Sequence, residues 1–229
     1  SEVCGDRISD GVRYGAVWEA CRRSGLLGHL LRDGGGDRLV AAAMRRANPR
    51  IGMRYIVGVM GPAKARKKDV DNARVLGELI ARREWVVLTG GRDVGVMDAA
   101  CQGAKKVPGS LTIGVLPSAR ERVSKYVDLA IITEMGNARN NVNVMSSNVV
   151  VVCGLMGAGT VSEVALALKA GKPVILVGAT PAEEKFFKKL GGRLIASVDS
   201  PEEAIGLMMK QFEQQQPDLV QGARSWGGV

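Results

Sequence analysis

The 229-residue chain predicts an α/β fold built on a doubly wound, mainly parallel, Rossmann-like sheet. Three observations predict it. From Arg54 onward, short runs rich in Val, Ile and Leu alternate with stretches of helical period. Those runs are apolar throughout, as strands covered on both faces are, and do not alternate with polar residues. Glycine-rich segments follow several of the runs directly, at the sheet edge where such folds bind ligands.

The elements follow in order. Tyr55 to Met60 reads as a buried strand, and Asp69 to Arg83 as an amphipathic helix with Val70, Ala73, Leu76, Leu79 and Ile80 on one face. Trp85 to Leu88 is a strand and Val94 to Lys106 a helix. Leu111 to Leu116 and Asp128 to Thr133 are strands, Asn137 to Ser147 is a helix, and Asn148 to Cys153 is a strand. Gly159 to Ala170 is apolar on nearly every side, which predicts a buried helix. Pro173 to Val177 and Arg193 to Val198 are the last strands, with a short helix around Glu183 to Leu190 between them. Pro201 to Gln214 closes the domain as an amphipathic helix.

Residues 1–53 differ from the rest. All nine of their basic residues are arginine, and every one of the 12 lysines lies at Lys64 or beyond. No hydrophobic strand and no sustained period precede Met53, so this segment is expected to be a flexible appendage to a single domain spanning 54–214. The polar, Gly-containing segment 215–229 is expected to be a loose tail.

Composition excludes several functions. No run of 18 apolar residues exists, so no membrane span is expected, and the chain reads as a cytoplasmic protein. The one histidine, His29, leaves almost no material for a zinc site or a histidine triad. Cys4, Cys21, Cys101 and Cys153 form neither CxxC pairs nor a disulfide framework, and Cys153 reads as packing. Aromatics are only 4%, which disfavours stacking on single-stranded nucleic acid although the pI is about 9.7. Chemistry must therefore rest on glycines, arginines, amides and carboxylates.

Three strand-end loops carry the glycines: Gly58 to Lys64 (with Gly61 and Pro62), Thr89 to Met97 (with Gly90, Gly91, Arg92 and Gly95), and Gly154 to Glu163 (with Gly157, Ala158, Gly159 and Thr160). Loops that open helices gather free N–H groups and the positive end of the helix dipole on one spot, which suits an oxyanion. Neither the dinucleotide fingerprint nor a Walker lysine is present. A fourth loop supplies Asn137, Arg139 and Asn140, where a guanidinium fork among amides can grip an oxyanion or the asparagines can cap a helix. Glu163, placed on the first turn of its helix, answers either the dipole or a nearby arginine.

Together these loops resemble a known family. Thr89-Gly-Gly-x-x-x-Gly95-Val-Met97 and Gly157-x-Gly159-Thr160-x-x-Glu163 are similar to the hallmarks of the lysine-decarboxylase-like, or LOG-type, Rossmann superfamily. Gly58 to Pro62, Thr112 to Pro117, Asn137 to Asn141, Ser146 to Val149, Glu163 to Lys169 and Glu184 to Phe187 resemble its molybdenum cofactor carrier proteins. The resemblance runs from about Arg54 to Phe212. It implies a homotetramer that binds and protects molybdenum cofactor, a molybdopterin, and passes it to molybdoenzymes such as nitrate reductase without catalysing a reaction. It also implies that the metal is held through the pterin dithiolene and not by protein ligands, with Met60, Met97 and Met156 as soft walls.

The alternative is a LOG-type phosphoribohydrolase releasing a modified base from a nucleoside monophosphate, with Arg139 and Glu163 as its catalytic pair. Leu155, Met156 and Ser162 depart from that pattern, so one of the paired carboxylates is missing. Nucleic-acid binding is the weakest of the three readings. The net charge of +6 over residues 54–229 (23 basic against 17 acidic) favours capture of a polyanion by either leading candidate.

Overall fold

The computed structural model describes residues 54–221. The chain divides into two units at Met53 and Arg54. The expected appendage 1–53 and the tail beyond Gln221 lie outside the described residues.

Seven strands form one sheet: β1 (Ile56–Met60), β2 (Val86–Thr89), β3 (Thr112–Leu116), β4 (Leu129–Ile132), β5 (Val149–Cys153), β6 (Val174–Val177) and β7 (Ile195–Val198). Their order is β4-β3-β2-β1-β5-β6-β7, and all six pairings are parallel, so "mainly parallel" becomes wholly parallel. The chain winds outward from β1 to β4, then returns to the middle and winds the other way from β5. The switch point lies between β1 and β5, where Val57 to Met60 pair with Val149 to Val152.

Among the described residues, six α-helices cover the sheet: α1 (Lys67–Arg82), α2 (Gly95–Ala104), α3 (Arg139–Ser146), α4 (Ala158–Lys169), α5 (Pro181–Gly191) and α6 (Pro201–Gln221). Period-two alternation in the strands gives two cores. Val57, Val59, Val87, Val149 and Val151 pack with Leu76 and Ile80 of α1, Val96 and Ala100 of α2, and Met208 of α6. Met60, Leu88, Val150, Val152 and Leu176 point to the other face and meet Val144 of α3, Val164 of α4 and Phe187 of α5. Tyr55 stacks on Phe212 with ring centroids 3.9 Å apart, which ties α6 to the start of the sheet.

Three expectations need correction. The predicted helix from Asn137 is a 3-10 turn (Gly136–Ala138) followed by α3. Helix α4 is not buried all round: Thr160, Glu163, Val164 and Ala167 face the core, whereas Val161 and Ala165 are exposed. Apolar sequence alone cannot tell which side of a helix finds a neighbour within its own chain. The last helix runs past Gln214 to Gln221, into the segment read as loose.

Candidate ligand-binding site

The switch point opens into a cleft of about 460 Å³, within the range that holds a cofactor-sized molecule. Its lining comes from the carboxyl ends of neighbouring strands. The loop after β1 gives Gly61, Pro62 and Lys64, and the loop after β2 gives Gly90 and Arg92. The turn into α3 gives Asn137, Arg139 and Asn140, and the loop after β5 with α4 gives Gly157, Gly159, Thr160 and Glu163. Met60, Met97 and Met156 add thioether surface.

Eleven of the fourteen sequence-predicted residues thus meet in one place; Gly91, Gly95 and Ala158 do not line it. The Gly91 N–H is bonded to Thr89 Oγ1, and its Cα lies against Gly114, so it closes the turn beneath the site. Gly95 fits under the carbonyls of Pro62 and Ala63, which binds two loops together. Ala158 is the first residue of α4.

Two of the glycines shape the site directly. A Cβ on Gly90 would stand 2.6 Å from Arg139 Nη1 and 2.7 Å from Met97 Sδ, so its absence lets the guanidinium lie over the β2 loop. Gly157 caps α4 with φ at 105°, a conformation other residues avoid. No side chain caps α4, which leaves its first N–H groups to the cleft. No side chain caps α3 either, so its asparagines have other partners. Asn140 Nδ2 donates to Ser162 Oγ at 3.0 Å, and Ser162 Oγ donates to the Gly159 carbonyl at 2.7 Å, which fastens α3 to the first turns of α4.

Arg139 and Glu163 sit at the centre. Nη1 lies 3.6 Å from Glu163 Oε1, too long for a hydrogen bond, and it is buried with no hydrogen-bond partner. Desolvation lowers the Arg139 pKa, Glu163 opposes that shift, and the positive charge of Arg92 adds to it. Glu163 lies beyond the first turn of α4, so its partners and not the helix end define it. Burial raises its pKa, against the hydrogen bond from Asn143 and the charge of Arg139. Asn143 Nδ2 donates to Glu163 Oε1 at 3.1 Å, and Asn143 is fully buried.

The β3–β4 connection braces the other wall. Arg92 Nε pairs with Glu121 Oε2 at 2.8 Å, and Arg122 Nε with Asp93 Oδ2 at 2.8 Å. Ser124 Oγ donates to Asp98 Oδ1 at 2.7 Å. Arg92 therefore reaches the cleft partly neutralised, whereas Arg139 keeps an unmet donor. Cys153 is buried at the end of β5, and desolvation with the charge of Asp69 pushes its thiol up to about 12, which removes it as a nucleophile.

Sequence reasoning missed Lys64, on the rim, and Asn143, behind Glu163. The signal for Asn143 was its position four residues after Arg139, on the same face of a helix.

A switch-point cleft with glycine turns, an uncapped helix and an unsatisfied buried guanidinium defines a doubly wound α/β protein whose site has the chemistry suited to an oxyanion. The model of the SLOG cluster4 family matches residues 54–205, and the chain belongs to that family. It is 51% identical to the molybdenum cofactor binding protein of the phototrophic bacterium Rippkaea orientalis, whose structure superposes with a TM-score of 0.67 over 70% of this chain and 98% of that one. The molybdenum cofactor carrier protein of Chlamydomonas reinhardtii is 45% identical, with a TM-score of 0.67 over 70% of this chain and 99% of that one. An uncharacterized protein of Archaeoglobus fulgidus is 40% identical over 118 residues, covering 52% of this chain and 76% of its own.

Proposed function

We propose that this chain is a molybdenum cofactor carrier whose function resides in residues 54–214. The observation that carries the reading is the buried, unpartnered Nη1 of Arg139 at the floor of a cleft fitted for an anion. The relatives at 45–51% identity support it, since they are described as binding or carrying that cofactor.

Molybdenum cofactor offers a terminal phosphate, a hydrogen-bonding pterin and an anionic oxo-molybdenum dithiolene. Arg139 and the open N–H groups of α4 suit an oxyanion, Asn137 offers hydrogen bonds, and the methionines offer a soft wall. Carriage needs binding, shielding and release, and each falls to groups that hold charge without attacking a bond. The same reading includes a homotetramer, a cytoplasmic setting and delivery to molybdoenzymes such as nitrate reductase.

The apolar surface left open within one chain supports assembly. On β4, Leu129, Ile131 and Ile132 are each about half exposed, as is Met135 just beyond.

The test is to purify the protein from a molybdenum-replete host and assay bound pterin and metal. Pterin and molybdenum in near-equal amounts are expected. Metal-free protein that releases ribose phosphate from nucleoside monophosphates would instead establish the phosphoribohydrolase, with Arg139 and Glu163 as its pair.

A further inference from the structure

Two buried polar atoms beside Glu163 lack hydrogen-bond partners. Arg139 Nη1 has no hydrogen-bond acceptor, Asn143 Oδ1 has no donor, and Glu163 Oε1 receives one bond, from Asn143 Nδ2. Buried polar atoms are rarely left so, and each calls for an explanation. An oxyanion on Arg139 answers only the first. It also creates a difficulty, because Glu163 Oε1 lies 3.6 Å from the nitrogen that would hold it. A second negative charge there repels the ligand in a region where water cannot screen it.

We infer that the site takes up one proton on Glu163 for each oxyanion it loads, and that Asn143 holds that proton. A carboxylate accepts hydrogen bonds only, so facing it the Asn143 amide can use its N–H and nothing else. A carboxylic acid and a primary amide can exchange two bonds, O–H to Oδ1 and N–H to the acid carbonyl. Protonation thus satisfies the Asn143 oxygen, releases Arg139 from its carboxylate partner and removes the repulsion in one step. The proton comes from solvent and returns there when the anion leaves, and no bond to the cargo is made or broken.

The surrounding charges leave this equilibrium to the pair. Arg139 and Asn143 face Glu163 from α3. Elsewhere on the cleft stand Arg92, tied to Glu121, and Lys64 on the rim. Ser162 and Asn140 nearby are neutral and bonded to each other. Burial raises the Glu163 pKa above its ordinary value, against the Asn143 hydrogen bond and the charge of Arg139. Loading is then favoured as pH falls and release as pH rises.

The inference rests on the carrier reading, and its test separates the two. Dissociation constants for molybdenum cofactor are measured for wild type and Glu163→Gln between about pH 5.5 and 8.5, where the glutamine keeps the shape of the neutral acid. Taking the ratio cancels titration of the cargo's own phosphate. The ratio of wild type to variant should climb toward tenfold per pH unit above the Glu163 pKa, while circular dichroism verifies that the variant is folded. Independently of the variant, mixing wild type with cofactor in weak buffer near pH 8 should consume about one proton per site. A ratio constant within about twofold across the range, or binding without proton uptake, overturns the inference and leaves the carrier reading standing. Absence of binding in both proteins at every pH overturns the carrier reading and this inference with it.

Discussion

Arg139 occupies an environment that would be hard to keep without a ligand to meet. Its side chain is 12% exposed, a second cation stands on the same cleft, and the carboxylate of Glu163 is beyond hydrogen-bond distance. A lysine there would keep the charge but lose the planar fork, offering one mobile ammonium in place of a rigid guanidinium. Arg139→Lys should therefore weaken binding of molybdenum cofactor by roughly ten- to a hundredfold, the loss of a charge-assisted hydrogen bond of about 1.5–3 kcal/mol. Equilibrium binding checks this; equal affinities would mean that the residue supplies general charge and not oriented recognition. Both members of the central pair were legible in the sequence, because an arginine among amides and a carboxylate on an apolar helix are conspicuous locally. Asn143 was not, since its role comes from contact with Glu163, 20 residues away in sequence. Likewise glycines look alike in sequence, yet Gly90 makes room for Arg139 and Gly91 only closes a turn.

Among the elements, β4 is the one least supported by packing. All four of its residues are exposed, and its only neighbour in the sheet is β3. Asp128, just before it, compensates: its Oδ2 accepts from the Thr112 N–H at 2.8 Å and Thr112 Oγ1 at 3.0 Å, and pairs with Lys105. Burial works against the ionised form of Asp128, but Lys105 and the Thr112 donors outweigh it and hold the carboxyl below its ordinary pKa. A depressed folded-state pKa stabilises the fold above the unfolded value of about 3.9, and that stability is lost as pH falls through the folded value. Asp128→Asn should accordingly be less stable than wild type at pH 7, and the gap should close as pH falls below about 4, as chemical denaturation across that range would record. A gap independent of pH would assign the loss to packing.

The strands were the most legible elements, each found close to its expected bounds, because unbroken β-branched runs admit few other structures. The exposed side of α4 was not legible, since an apolar sequence reports that a face wants cover and not where the cover lies.

At the scale of the whole molecule, the doubly wound order accounts for both the site and the surface left over. Reversal of winding between β1 and β5 brings loops from both halves of the sheet to one crevice. The same order leaves β4 at an outer edge, with Leu129, Ile131, Ile132 and then Met135 bare, while α4 turns Val161 outward. A bare apolar edge strand invites association, and a monomer would be expected to guard it with charge. A homotetramer would instead bury it. If β4 contributes to the subunit contact, Ile131→Lys places a charge in a desolvated interface while leaving the chain's own cores untouched, since Ile131 is 47% exposed within one chain. Light scattering should then find wild type as the larger assembly and the variant as a smaller species, with an unchanged circular dichroism spectrum. A variant still assembled like wild type would exclude Ile131 from the contact and direct attention to the open face of α4, where Val161→Lys makes the corresponding test.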